Sequence, residues 1–227
     1  GLTYDVSDTL SASLEGRYQI DKLYAFARPQ GYNITTNAFI PVGTYAGGSL
    51  VAKSTYKNFS PRIIVNWQAS PDMMVYASWA KGVNPAQFNT TILAQNATVQ
   101  NLAKANGGQL AIDPEKITNF EAGIKGRAFG GALRYTVAAY YAKWKDQINA
   151  VAIIAPDPSQ PTGYTFISTS ANAGAADLYG IEGDISWKVN DFLTIDAAGA
   201  INETDIQHYQ STAVSQLTGV YDYSGKE

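Results

Sequence analysis

The sequence contains no cysteine, so neither a disulfide framework nor a thiolate metal site can form. Its single histidine, His208, has no second imidazole to join it, and a histidine-based metal centre lacks a ligand set. No G-x-S-x-G motif accompanies His208, which removes the usual context of a serine triad. Neither a G-x-G-x-x-G pattern nor a P-loop occurs, so no nucleotide cofactor, and indeed no cofactor or resident metal, is expected. Charge is also scarce: 15% of residues are charged, against roughly 25% in soluble domains. The net charge of −3 and pI near 5.2 argue against a nucleic-acid partner, which would call for a basic surface. No apolar run approaches the roughly 20 residues of a membrane helix. That excludes a helical span but leaves strands open, because a barrel strand is apolar on only one side.

What the chain does have is alternation. Leu10, Ala12, Leu14, Gly16, Tyr18 and Ile20 interleave with Ser11, Ser13, Glu15, Arg17, Gln19 and Asp21. The same period of two runs through Leu133, Tyr135, Val137, Ala139 and Tyr141, through Tyr179 to Trp187, and through Leu193 to Ile201. Ile63, Val65 and Trp67 repeat it, as do Phe120, Ala122 and Ile124. Each segment reads as a half-buried strand. Only 73–81 is ambiguous, since Val75, Ala77 and Trp79 alternate with Met74, Tyr76 and Ala80. The chain opens directly in such a strand at Leu2-Thr3-Tyr4-Asp5-Val6, with nothing resembling a secretory leader before it.

The strands are joined two by two through short turns at Ser7-Asp8, Ser70-Pro71-Asp72, Phe129-Gly130-Gly131 and Asn190-Asp191, all rich in turn-forming residues. Between pairs the connections are long, at 27–57, 89–113 and 151–175, with another from about 210. Eight strands in four hairpins result, with short turns at one end and long loops at the other, as in outer-membrane barrels. A strand running from Gly131 to about Trp144 covers on the order of 30 Å when tilted about 45°, enough to cross a hydrocarbon core. Trp67 and Trp187 each stand three residues before a short turn, and Trp144 stands near the far end of its strand. Two aromatic girdles account for that placement; core tryptophans of a soluble sandwich are the alternative.

Several runs resemble one family. Tyr56-Lys57-Asn58-Phe59-Ser60-Pro61-Arg62, then Trp67, then Val75-Tyr76-Ala77-Ser78-Trp79-Ala80-Lys81-Gly82 are similar to the barrel of TonB-dependent outer-membrane receptors. Asp113-Pro114-Glu115-Lys116-Ile117-Thr118-Asn119-Phe120-Glu121-Ala122-Gly123 resembles a recurring strand of that family, and Ala171-Asn172-Ala173-Gly174 with Tyr179-Gly180-Ile181-Glu182-Gly183-Asp184 resembles a later strand start. The resemblance implies an all-β, antiparallel up-and-down transmembrane β-barrel in the bacterial outer membrane, of which residues 1–227 would be about eight strands. Such barrels have about 22 strands and a plugged lumen.

It also implies energy-coupled uptake of a scarce nutrient such as a ferric siderophore. The partners would be outer-membrane lipid, a plug domain of the same receptor, the inner-membrane TonB complex and a small nutrient ligand. No plug, energy-coupling box or aromatic-terminated closing strand is recognisable in the sequence. The expectation is therefore a segment of a larger receptor and not an enzyme. A small complete porin-like or structural barrel shares the pattern, and a soluble secreted carbohydrate-binding β-protein is the third reading.

On this reading Leu133, Val137, Ile185 and Ile195 face lipid, whereas Arg17, Glu121, Arg127, Arg134, Glu182 and Asp184 line the lumen. Glu182 and Asp184 are spaced as an acid/base pair could be, but lumen-facing polarity with cross-strand charge pairing explains them better. In the long loops Tyr32, Asn33, Tyr45, Phe88, Asn89 and Tyr164 are candidate ligand contacts, since rings stack on bulky ligands and amides orient them.

Overall fold

The computed structural model describes residues 1–26, 50–93, 97–105, 108–156, 158, 161–209, 219–220 and 222–225. The alternating segments form eight long strands: β1 (Leu2–Ser7), β2 (Leu10–Phe26), β3 (Leu50–Ser70), β4 (Met73–Asn84), β7 (Glu115–Ala128), β8 (Leu133–Pro156), β9 (Tyr164–Asn190) and β10 (Leu193–Tyr209). Between β4 and β7 lies an insertion of β5 (Gln87–Phe88), α1 (Thr90–Leu93), α2 (Ala97–Ala105) and β6 (Ala111–Ile112). The eight strands make one antiparallel sheet in the order β1-β2-β3-β4-β7-β8-β9-β10. Each of these eight strands pairs with the next of the eight along the chain, an up-and-down order in which β4 meets β7 across the insertion.

Register fixes facing, because side chains alternate strictly along a strand. Leu10 pairs with Trp67, Trp67 with Val75, and Val75 with Ile124. The row continues on the next strands as Ile124 with Val137 and Val137 with Gly183. Val75, Ala77 and Trp79 therefore share the apolar face, and Tyr76, Ser78 and Ala80 the polar one, which settles the ambiguous segment. Leu133 pairs with Trp187 and Trp187 with Ile195, so both turn-proximal tryptophans lie on the apolar face. Trp144 does not join them. It pairs with Ile117 and Ala176, one residue out of phase with Tyr141 and Lys143 and hence on the polar face. The tryptophan on the apolar face towards the long loops is Trp79, opposite Ile63 and Phe120.

Large apolar side chains stay open on that face: Tyr18, Phe59, Val137 and Ile181 are all exposed. In water such a surface is costly; against acyl chains it is the required solvent contact. Phe59 also lies over Gly16, where an added Cβ would sit 2.9 Å from its ring. At the β7–β8 turn Phe129, Gly130 and Gly131 have φ of 52°, 63° and 91°, and two glycines supply most of that left-handed run at no steric cost.

Two connections are shorter than the sequence suggests. The loop expected at 151–175 is largely strand, because β8 runs to Pro156 and β9 starts at Tyr164. Likewise β3 begins at Leu50, inside the loop expected at 27–57. Beyond the bilayer no lipid imposes alternation, so these extensions carry no two-residue signature. The β8–β9 ladder shifts register between Trp144 and Ile148, with Asp146 at φ 59°. Glu115 compensates: its carboxylate accepts from the Ile148 amide at 2.7 Å and from Asn84 Nδ2 at 3.0 Å. Among the described residues, a conventional core cluster forms past this bulge. There Ile92 and Ala103 of the insertion pack with Ile153 and Ile167 of the extended hairpin, which explains why the expected 89–113 loop carries helices.

Candidate lumen wall and mouth

All six residues assigned to the lumen fall on the polar face. Arg17 pairs with Ser60, Glu121 with Ser78 and Tyr140, and Arg134 with Arg127 and Ser186. Glu182 pairs with Ala138 and Ala200, and Asp184 with Thr136 and Ala198. Small neighbours leave the carboxylates standing in an open concavity.

The face divides into three patches. At its centre Glu121, Glu182 and Asp184 share a depression with Tyr76, Lys125 and Thr136. Tyr76 donates to Glu121 at 2.7 Å, and Lys125 Nζ sits 5.0 Å from the Tyr76 ring centroid. Nearer the short turns, Arg127 and Arg134 oppose each other, an unfavourable like-charge pair; Arg127 turns to Asp72 on the next turn, which accepts from its Nε. Arg17 stands apart, one rung from Glu15 and Arg62, whose charged groups approach to 3.8 Å. Cross-strand charge pairing is thus realised at Glu15–Arg62 and Arg127–Asp72. No ion pair among the described residues involves Glu182 or Asp184. Glu182 and Asp184 thus stand on one open strand face.

Of the mouth candidates, Tyr32, Asn33 and Tyr45 lie outside the described residues. Phe88 lies in the short β5 strand and is half-buried. Asn89 is buried, and its amide donates to the carbonyls of Gln109 and Ser170 and to Thr169. Those contacts tie the insertion to β9. Tyr164 and Phe166 stay exposed, at 53% and 67%, near the tip of the long hairpin. His208 is exposed, with Ser224 Oγ at 3.4 Å.

Sequence reading missed three residues that organise these regions. Tyr76 lay in the segment of ambiguous facing and becomes legible once its register against β7 is known. Glu115 gave no signal, because the bulge it supports has none. Asn172 joins Asp113 and Asp146 by accepting from the Asp113 amide and donating to both carbonyls.

Comparison with known proteins accords with this two-faced wall. A family model described as TonB dependent receptor-like, beta-barrel matches residues 1–226. The metal-pseudopaline receptor CntO of Pseudomonas aeruginosa is 28% identical over 179 residues, covering 77% of this chain and 21% of its own length. The chain therefore spans about a fifth of the curated relatives it matches. The ferric yersiniabactin uptake receptor FyuA from Yersinia pestis has the same fold, with TM-score 0.59 and 18% identity over 92% of this chain and 26% of FyuA. The copper transporter OprC matches with TM-score 0.56 and 13% identity, over 90% and 28% of the two chains. The chain belongs to the TonB-dependent receptor family of the bacterial outer membrane, as part of its β-barrel.

Proposed function

We propose that this chain is a wall segment of a receptor for energy-coupled uptake of a scarce, chelated nutrient, with metal–siderophore complexes the favoured class. The carrying observation is the polar face, whose central carboxylates join no ion pair among the described residues, set opposite an apolar face of exposed large side chains. A lumen wall of that kind suits contact with a plug domain supplied by the remainder of the receptor. The names of the relatives favour a chelated metal as cargo. The insertion folded against the β8–β9 hairpin and the exposed rings of Tyr164 and Phe166 would stand at the mouth, where a bulky ligand is first met. On this reading the protein is not an enzyme, and its partners are its own plug, the TonB complex and the nutrient.

The test is uptake of radiolabelled iron–siderophore complexes by cells whose only such receptor is the full-length protein. Uptake should stop when the proton-motive force is collapsed or TonB is removed. Uptake that persists under both treatments would instead assign a passive pore.

A further inference from the structure

On the apolar face, towards the long loops, lysines gather above a band of rings. Lys57, Lys81, Lys143 and Lys145 line a groove of about 860 Å³. Its floor includes Phe59, Trp79, Phe120 and Tyr141, and Trp79, Phe120 and Tyr141 are successive partners across β4, β7 and β8. Lys81 and Lys143 both face Thr118, which puts their strands about 10 Å apart. Each reaches back over a ring, Lys81 Nζ lying 5.6 Å from Trp79 and Lys143 Nζ 5.6 Å from Tyr141. Lys145 lies directly opposite Lys116, a destabilising arrangement unless an anion intervenes.

Among the described residues, little supplies that anion. Asp146 takes Lys116 at 3.0 Å, and Asp177, opposite Lys143, accepts from Tyr141 at 2.7 Å. None of the ion pairs among the described residues includes Lys57, Lys81, Lys143 or Lys145. Depth matches as well. From Leu133 beside the short turn to Lys143, a strand tilted about 45° rises on the order of 24 Å, the height of the apolar band. The ammonium groups therefore stand at the headgroup level, with the rings just beneath, at the boundary where amphipathic rings collect.

We propose that this groove is a binding site for a phosphorylated lipid of the outer leaflet, its phosphate held by the four lysines and its acyl chains lying on Phe59, Trp79 and Phe120. The inference rests on the outer-membrane placement of the family but not on uptake, so the two readings fail separately.

The test uses the full-length receptor purified in detergent and native mass spectrometry with three probes: diphosphorylated lipid A, the same lipid stripped of both phosphates, and inorganic phosphate. Wild-type receptor should retain the diphosphorylated lipid. The variant carrying K57Q, K81Q, K143Q and K145Q should bind it at least about tenfold more weakly. Removing the phosphates should weaken binding to the wild type similarly. Equal retention by wild type and variant, or of both lipids, would overturn the proposal. Displacement by millimolar inorganic phosphate would also overturn it by assigning a free-phosphate site. Should the quadruple variant fail to assemble, the double change K81Q with K143Q gives the same comparison, and K81R with K143R should retain the lipid.

Discussion

Tyr76 and Glu121 meet across β4 and β7 on the polar face, the phenol donating to the carboxylate at 2.7 Å. The ring lies over Gly123, where a Cβ would come within 2.6 Å of it. A Tyr–Gly–Glu cluster of this kind fixes both register and the position of one polar-face carboxylate. Tyr76→Phe should remove the bond while keeping the ring, costing about 1.5–3 kcal/mol for a charge-assisted contact. Urea unfolding of the assembled receptor measures it. An unchanged midpoint would mean that water replaces the phenol without loss.

Facing is tested by placing one charge on neighbouring residues of β8. Val137 is exposed on the apolar face, and Thr136 faces Asp184 and Lys125. Val137→Arg should impair outer-membrane assembly far more than Thr136→Arg, by about 2–4 kcal/mol near the bilayer midplane. The fraction of folded receptor in outer-membrane extracts reads the difference, and equal tolerance of the two changes contradicts the assignment.

Beside its apolar packing, the insertion is tied to β9 by the side-chain amide of Asn89. Asn89→Ala would strip the Gln109 and Ser170 carbonyls and Thr169 of their common donor, at about 1–3 kcal/mol for groups left buried. The expected outcome is faster proteolysis within 89–113 while the barrel strands stay protected. Uniform protection in limited digestion would deny Asn89 this role.

At the bulge, Glu115→Ala should release the Ile148 amide and Asn84 together. Hydrogen exchange at Ile148 should accelerate, with amides near the short turns unaffected. By contrast Asp72→Asn at the exposed Arg127 pair should change stability by no more than about 1 kcal/mol, as solvent-exposed ion pairs generally do.

How far the sequence speaks follows from where lipid acts. Between Leu133 and Lys143 every second side chain lies on the apolar face, so Val137, Ala139 and Tyr141 announce it. The short turns are equally plain, since Gly130 and Gly131 are demanded by backbone geometry. Beyond Trp144 the constraint disappears. Strand pairing from Ile148 to Pro156 is held by backbone bonds and by the Ile92–Ile153–Ile167 cluster, neither of which imposes a period of two. Trp144 misleads for a related reason: an aromatic near a strand end suggests a girdle, yet one residue of phase puts it on the other face. The lysine groove was hidden because its members come from β3, β4 and β8, and only their register brings them together.

The pairing order has a consequence for how the wall is made. Because each strand's partner is its neighbour in sequence, the chain can lengthen its sheet one hairpin at a time without waiting for distant segments. The detour from Asn84 to Glu115 is closed locally by the pairing of Gln87 with Ile112 and Phe88 with Ala111. That small clasp shortens the loop whose closure would otherwise slow the step from β4 to β7. Loss of the clasp would be felt as a pause in assembly before it was felt as a weaker finished barrel.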